Sequence, residues 1–281
     1  PLIVFLDKAG VSGGGGGGGN NTPAPAQRSQ QVMSKPQMYS GYHAVAAILR
    51  HRPEAVLELF VQDSRAERGE ERLDALCAEA TRLGIRPQQA RRDVLEKHAG
   101  PQHQGVVARA RPRTPGDEAD LMNHLDRLDR APLLLVLDGV TDPHNLGACL
   151  RSADATGVDA VIVPRRHACG LTPTACRSAV GAAESVPYFE IGNLARLLEQ
   201  LRERGIWVVG TALEQNSQSL FDFNGEGALA LVMGAEGDGM RRSTMEKCDY
   251  LIEIPMLGEV ESLNVSVATA VVLYQLMRSR R

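Results

Sequence analysis

Long apolar runs, paired cysteines and nucleotide-binding glycine fingerprints are all missing from this 281-residue chain, and each absence removes a class of protein. The longest apolar candidates, at 133–137 and 228–233, fall far short of the roughly 18 to 20 residues of a bilayer-spanning helix, so no membrane association is expected. Five cysteines, Cys77, Cys149, Cys169, Cys176 and Cys248, are an odd number without a C-x-x-C pair. Neither a disulfide framework nor a metal site is therefore expected, and a reducing, cytoplasmic compartment fits best. Gly234, Gly237 and Gly239 are spaced wrongly for G-x-G-x-x-G, and no phosphate-binding Lys-Ser/Thr follows them. That argues against a nucleoside di- or triphosphate and against a nicotinamide-dependent oxidoreductase. No internal repeat with a period of roughly 20 to 50 residues is visible.

What is present is a globular composition, 43% hydrophobic and 23% charged, enough for one large core or two modest ones. The net charge of −3 is unevenly placed. Positions 34–113 carry 14 Lys and Arg against 10 Asp and Glu, whereas 117–281 carry 15 against 23. A mildly basic part joined to an acidic one suits an RNA-reading module attached to one that does chemistry, although ordinary surface variation gives the same split.

The chain opens with seven consecutive glycines at 13–19 and a Pro/Ala/Asn stretch, a composition that builds no packed core. Positions 1–37 are expected to be a disordered leader or an addition to the natural chain, whose start then lies near Met33 or Met38. From Tyr39, Ala44, Val45, Ile48 and Leu49 recur at helical spacing and 56–61 reads as a strand. A second helix through Leu73, Leu76, Cys77 and Ala80 stops at Gly84, and 105–109 reads as another strand. Positions 38–110 are thus a small α/β module. The run Arg111-Pro112-Arg113-Thr114-Pro115-Gly116 opens an expected linker over 111–130. Over 131–281, apolar strand-like runs at 133–137, 160–163, 186–191, 206–209, 228–233 and 250–254 alternate with helical patterns. The expected fold class is α/β, a parallel sheet covered on both faces.

In such a sheet, ligands sit beyond the carboxyl ends of the strands, and three turns there are unusual. In the first, Asp142 reads as an N-cap with Pro143 opening a helix, and Asn145 and Arg151 lie off its apolar stripe. Loop bracing and a solvated face are the plain readings of those two residues. The second, Met233-Gly234-Ala235-Glu236-Gly237, allows close backbone approach to a ligand, and Glu236 also fits a purely local brace. In the third, Ile254-Pro255-Met256 leads to Ser262-Leu263-Asn264-Val265-Ser266, where Ser262 and Asn264 also fit as helix-cap residues.

Taken together and in this order, the three motifs resemble those of the SpoU (TrmH-type) RNA 2'-O-ribose methyltransferases of the SPOUT superfamily. The resemblance runs from Leu133 to the C-terminus. Tyr42-His43-Ala44-Val45 and His103-Gln104-Gly105 are similar to the ribosomal-protein-like RNA-binding domain of one subgroup, which modifies a guanosine of 23S rRNA. The resemblance implies a C-terminal trefoil knot, which fold rules alone would argue against. It implies S-adenosyl-L-methionine as cofactor, held at Thr211, Gly234, Ile254, Met256 and Leu263. It implies Arg151, Asn145, Glu236, Ser262 and Asn264 as catalytic-site residues, no metal, and a homodimer whose sites are completed across two chains. A guanidinium stays protonated, so Arg151 suits binding the phosphate beside the target ribose better than acting as a base. Arg50, Arg52, Arg91, Arg92 and Arg109 are candidate phosphate contacts in the N-terminal module. A tRNA or other rRNA substrate, and a non-catalytic RNA-binding protein on the same fold, are the alternatives. The second is disfavoured because Arg151, Ser262 and Asn264 are all present.

Overall fold

The computed structural model describes residues 35–63, 70–235 and 239–280. The expected leader lies almost entirely outside them. A four-stranded sheet is built from β1 (Gln37–Ser40), β2 (Val56–Gln62), β3 (Pro87–Ala90) and β4 (Val106–Ala110), in the order β1-β4-β2-β3. Only β2 and β3 pair in parallel. Helices α1 (Tyr42–His51), α2 (Glu70–Arg82) and α3 (Arg92–Ala99) cover it. Val45, Leu49, Leu59, Leu76 and Ala108 fill one face, and Phe60, Leu95 and Val107 the other.

The stretch expected as a linker is not a free tether. Asp117 and Asp120 form a reciprocal capping box that opens α4 (Glu118–Leu125), and Leu121 of this helix is fully buried. Gly116 pairs with Phe189 as an isolated bridge, so the crossing is docked on the larger sheet.

That sheet contains β5 (Leu133–Asp138), β6 (Ala160–Pro164), β7 (Tyr188–Ile191), β8 (Trp207–Thr211), β9 (Gln218–Ser219), β10 (Leu229–Gly234) and β11 (Tyr250–Glu253). The order is β7-β6-β5-β10-β8-β11-β9 and every pairing is parallel. Leu133, Leu135 and Leu137 of β5 point into one core and Leu134 and Val136 into the other. This is why the strand reads as an unbroken apolar run: period-2 alternation delivers every side chain to a buried face. Helices α5 (Pro143–Thr156), α6 (Pro173–Ser178), α7 (Ala182–Ser185) and α10 (Val265–Ser279) pack on the first face. On the second lie α4 and α8 (Leu194–Glu203), with α9 (Arg242–Met245) beside them. Each fully buried Leu contributes about 1.5–3 kcal/mol.

The small sheet joins the large one through a shared core. Tyr39, Ile48 and Ala110 belong to the same cluster as Cys176, Ala179 and Ala183. Arg52, capping the end of α1, grips Glu184 of α7 with two hydrogen bonds of 2.7 and 2.8 Å. Arg113 donates to the carbonyls of Ala183 and Val186. At the same junction Gly181 has φ +100°, and a Cβ there would stand 3.2 Å from that of Ala47.

Candidate active site

The carboxyl ends of β10, β8 and β11 are neighbours in the sheet, and a cavity of about 600 Å³ opens beyond them. Thr211, Gly234, Ile254, Met256 and Leu263, the five residues expected to hold a cofactor, all line it, together with Ser262 and Asn264. Met233, Met240, Ile252 and Ala268 supply apolar wall. The Thr211 hydroxyl is turned inward, donating to the Val232 carbonyl at 3.3 Å.

Two glycines set the shape. A Cβ on Gly234 would come within 2.3 Å of the Gly239 and Met240 backbone, and one on Gly210 within 2.5 Å of the Met240 side chain. Gly239 and Met240 thus pack directly against the end of β10, and Ala235 and Gly239 exchange backbone hydrogen bonds of 3.0 and 3.1 Å. Glu236, within that turn, lies outside the described residues.

Asn264 is the N-cap of α10: its Oδ1 accepts from the amides of Ser266 at 2.9 Å and Val267 at 3.4 Å. Its Nδ2 donates to Oδ1 of Asn145 at 3.0 Å. Asn145, on the first turn of α5, is buried and does not itself line the cavity. Asp142 caps this helix through the His144 amide, as the sequence pattern implies, and Gly157 ends it in the left-handed conformation. Ser262 is not a cap, since that position belongs to Asn264; it is exposed at the cavity rim.

Arg151 stands apart. It is exposed on α5, is absent from the lining of its own chain's cavity, and makes no ion pair among the described residues. The helix packed against α5, α10, carries an exposed stripe of Val267, Val271 and Tyr274 at helical spacing.

One pair has no counterpart in the sequence reading. Asp138 ends β5 with its side chain fully buried, and its carboxylate accepts from Nε of Arg241 at 2.8 Å and from the Arg241 amide at 3.3 Å. This ties the segment after the β10 turn to the strand that begins the first motif. The signal is an acid closing an otherwise apolar run, but its partner lies 103 positions away.

The chemistry open to this cavity is limited. No cysteine is among its described lining residues, and burial pushes the thiols of Cys248 and Cys176 elsewhere in the chain up to about 12. Among the described lining residues the titratable groups are the carboxylates of Glu214, Glu253 and Glu261. The arginines expected to meet RNA in the N-terminal module are mostly committed elsewhere. Arg52 is paired with Glu184, Arg91 with Asp93, Arg92 with Glu96 and Arg109 with Glu58. His103 is buried and its Nδ1 accepts from the Gly105 amide at 3.0 Å, which makes it a turn brace.

Comparison with known proteins agrees with this geometry. A family model described as the SpoU rRNA Methylase family matches residues 132–274, and one described as RNA 2'-O ribose methyltransferase substrate binding matches 40–116. The 23S rRNA (guanosine-2'-O-)-methyltransferase RlmB of Bordetella pertussis is 50% identical over 250 residues, covering 89% of this chain and all of that one. Its Escherichia coli namesake is 51% identical over 245 residues, 87% of this chain and 99% of the other. Among solved structures, an RNA 2'-O ribose methyltransferase aligns at TM-score 0.69 with 25% identity over 90% of this chain and 92% of that one. The SpoU methyltransferase AviRb from Streptomyces viridochromogenes, solved with AdoMet, gives TM-score 0.69 at 24% identity over 90% and 93%, a likeness of fold. With both modules matched and half the residues shared with full-length relatives, this chain belongs to the SpoU family of RNA 2'-O-ribose methyltransferases and has their trefoil-knotted SPOUT fold.

Proposed function

We propose that this chain uses S-adenosyl-L-methionine to methylate the ribose 2'-hydroxyl of a guanosine in 23S rRNA, as a cytoplasmic homodimer. The observation that carries the reading is the convergence of Thr211, Gly234, Ile254, Met256 and Leu263 on one cavity with the Asn264–Asn145 pair at its edge. The lining suits the cofactor. The backbone groups of Ile254, Met256 and Leu263 make no hydrogen bond among the described residues, which leaves them for adenine, ribose and amino-acid polar atoms. The thioether-rich wall of Met233 and Met240 accommodates apolar atoms. When bound, this group supplies a methyl carbon on a positively charged sulfur.

The chain's own work is positioning. The 2'-oxygen must approach in line, and fixing it there accounts for most of the acceleration. Arg151 holds the phosphate beside the target ribose through paired guanidinium donors and so orients the hydroxyl. As the new C–O bond forms, the hydroxyl proton passes to that phosphate or to a cavity-edge carboxylate; Glu261, beside Ser262, is one. Ser262 and Asn264 shape the edge over which the ribose enters, and Glu236 is assigned to the same site from its motif position. Because Arg151 does not line its own cavity, it serves the cavity of a second copy, joined through the exposed Val267, Val271 and Tyr274 stripe of α10.

The test is transfer of labelled methyl to unmodified 23S rRNA, with unmodified tRNA and the Arg151→Ala variant alongside. Label on rRNA ribose that disappears in the variant supports the reading. Label on tRNA alone overturns the substrate, and failure to bind the cofactor overturns the site.

A further inference from the structure

We propose that the RNA backbone is gripped by an arginine rim on the catalytic domain, formed by Arg165, Arg166 and Arg177, and not by the ion-paired Arg52, Arg91, Arg92 and Arg109 of the N-terminal module. This inference rests on the RNA methyltransferase reading above and adds to it the surface that the substrate crosses.

The first argument is a contrast in pairing. Four of the five arginines that charge counting selects in the N-terminal module are held by the chain's own carboxylates. Such pairs add little stability, but they cancel the positive potential that attracts a polyanion. Arg165 and Arg166 are exposed, Arg177 is half-buried, and none of the three forms an ion pair among the described residues. Glu190 is half-buried nearby; burial pushes its carboxyl up and the Arg165 charge acts the other way, but the two form no ion pair. The acidic C-terminal domain thus keeps cations without an ion-pair partner, among the described residues, where the ligand-binding edge of its sheet lies.

The second argument is continuity. Arg165 and Arg166 follow the carboxyl end of β6, next to β5 in the sheet. Their loop is stitched to the turn before α5 by the Cys169 amide on the Val140 carbonyl at 3.3 Å. Within that loop His167 holds a left-handed φ of +62°, a backbone state that a non-glycine residue adopts at a cost and that forces the arginines around a tight corner. Arg177 is the other end of the rim. Its Nη1 donates to the Ser40 hydroxyl at 3.2 Å, and its side chain lies beside Gly41, where Gln104 also approaches. The next residue, Ser178, meets His144 Nδ1 at 3.1 Å, and His144 precedes Asn145, which is bonded to Asn264 at the cavity edge. A continuous path therefore runs from the junction of the two modules, past Arg177 and His144, to the methyl-transfer site. An RNA strand reaching from the N-terminal module to the cavity crosses Arg177, and Arg165 and Arg166 stand on the loop stitched to the turn that opens α5.

Salt dependence counts the phosphates that a protein neutralises. For single-stranded RNA, log K falls with log[salt] by about 0.7 per neutralised phosphate. Binding of a synthetic 23S rRNA stem-loop is measured by anisotropy across a salt series for the wild type, Arg165→Gln/Arg166→Gln, Arg177→Gln, and Arg91→Gln/Arg92→Gln as the N-terminal control. The rim variants should lower the slope by about 0.7 for each phosphate left without its arginine and weaken binding about 5- to 30-fold at low salt. KM for the RNA should rise while kcat at saturation and cofactor affinity stay at wild-type values. The control should bind as wild type does. A wild-type slope in the rim variants, or a reduced slope in the control instead, overturns the proposal. Ser40→Ala separates charge from docking: if it reproduces the Arg177→Gln defect, Arg177 acts on the junction and its place in the rim falls. The substrate reading fails separately. If the wild type transfers no methyl to 23S rRNA yet the rim variants still show a reduced slope on that RNA, the surface stands and the substrate does not.

Discussion

Asn264 Nδ2 donates to Asn145 Oδ1 across 3.0 Å, joining the cap of the last helix to the first turn of α5 over 119 positions of sequence. Both side chains that the motifs single out are thereby spent partly on each other. Asn264 also accepts from two amides of α10, so its orientation is fixed by the cap and its amide group has one place to point. The pair determines how the segment from Met256 to Leu263 closes on the cavity.

Asn264→Ala should therefore lose more than a helix cap. A cap alone is worth about 0.5–2 kcal/mol. In a double-mutant cycle with Asn145→Ala, urea denaturation should give a coupling energy of about 0.5–1.5 kcal/mol between the two sites. Calorimetric affinity for S-adenosyl-L-methionine should drop in both single variants. Strict additivity would mean that the hydrogen bond does not connect the two motifs energetically.

The Asp138–Arg241 pair makes a second expectation. Arg241→Ala leaves the fully buried carboxylate of Asp138 unpaired, and breaking a buried pair from one side costs about 3–5 kcal/mol, less here because Arg241 is 45% exposed. A loss of about 2–3 kcal/mol is expected, with weakened cofactor binding because the turn after Gly234 is released. Adding Asp138→Asn to Arg241→Ala should recover part of the stability, since the buried charge then disappears. Thermal denaturation of the two variants and the wild type checks the order.

His103 sets a pH dependence. Burial lowers its pKa from 6.5, the nearby charges of Glu96 and Arg92 acting in opposite directions, and its Nε2 has no hydrogen-bond partner among the described residues. Burial in the folded state disfavours the charged ring, so the unfolded chain binds the proton more readily. Stability from this group is fully present above pH 6.5 and is lost as pH falls from there through the lowered folded value. The slope cannot exceed about 1.4 kcal/mol per pH unit. Chemical denaturation between about pH 5 and 7.5 should show a fall that flattens in His103→Gln.

The sequence is most readable where a local rule and the tertiary structure agree. β5 announces itself because both its faces are buried, and α5 because Asp142 and Pro143 mark its start. β1 and β3 are invisible locally: Gln37-Met38-Tyr39-Ser40 and Pro87-Gln88-Gln89-Ala90 lack strand composition and are extended only because β4 and β2 offer them pairing partners. Helix α4 hides within the expected linker although Asp117 and Asp120 spell its capping box, because the prolines before it dominate the local pattern. For the site, motif order locates the cavity, whereas arginine counting misjudges which cations are free. Arg91 and Arg92 pair with carboxylates two and four positions on, within reach of a local window, but Arg52 is held by Glu184, 132 positions away, which no local window contains.

The separation of Arg151 from its own cavity makes the most demanding prediction. If a dimer places each Arg151 at the partner's site, then Arg151→Ala and a cavity-blocked Gly234→Ala chain are each inactive alone for different reasons. Gly234→Ala is blocked because its Cβ would meet the Gly239 and Met240 backbone at 2.3 Å. Mixing and re-equilibrating the two variants yields about half heterodimers, each with one cavity intact and one Arg151 reaching it. Methyl transfer should recover to about a quarter of the wild-type rate, half the dimers each carrying one working site of two. If Arg151 instead served its own chain's cavity, the Arg151→Ala protomer would still lack its arginine and the Gly234→Ala protomer its cavity, and mixing would restore nothing. Recovery that vanishes when Tyr274→Asp is introduced into both chains would further place the exchange at the exposed face of α10.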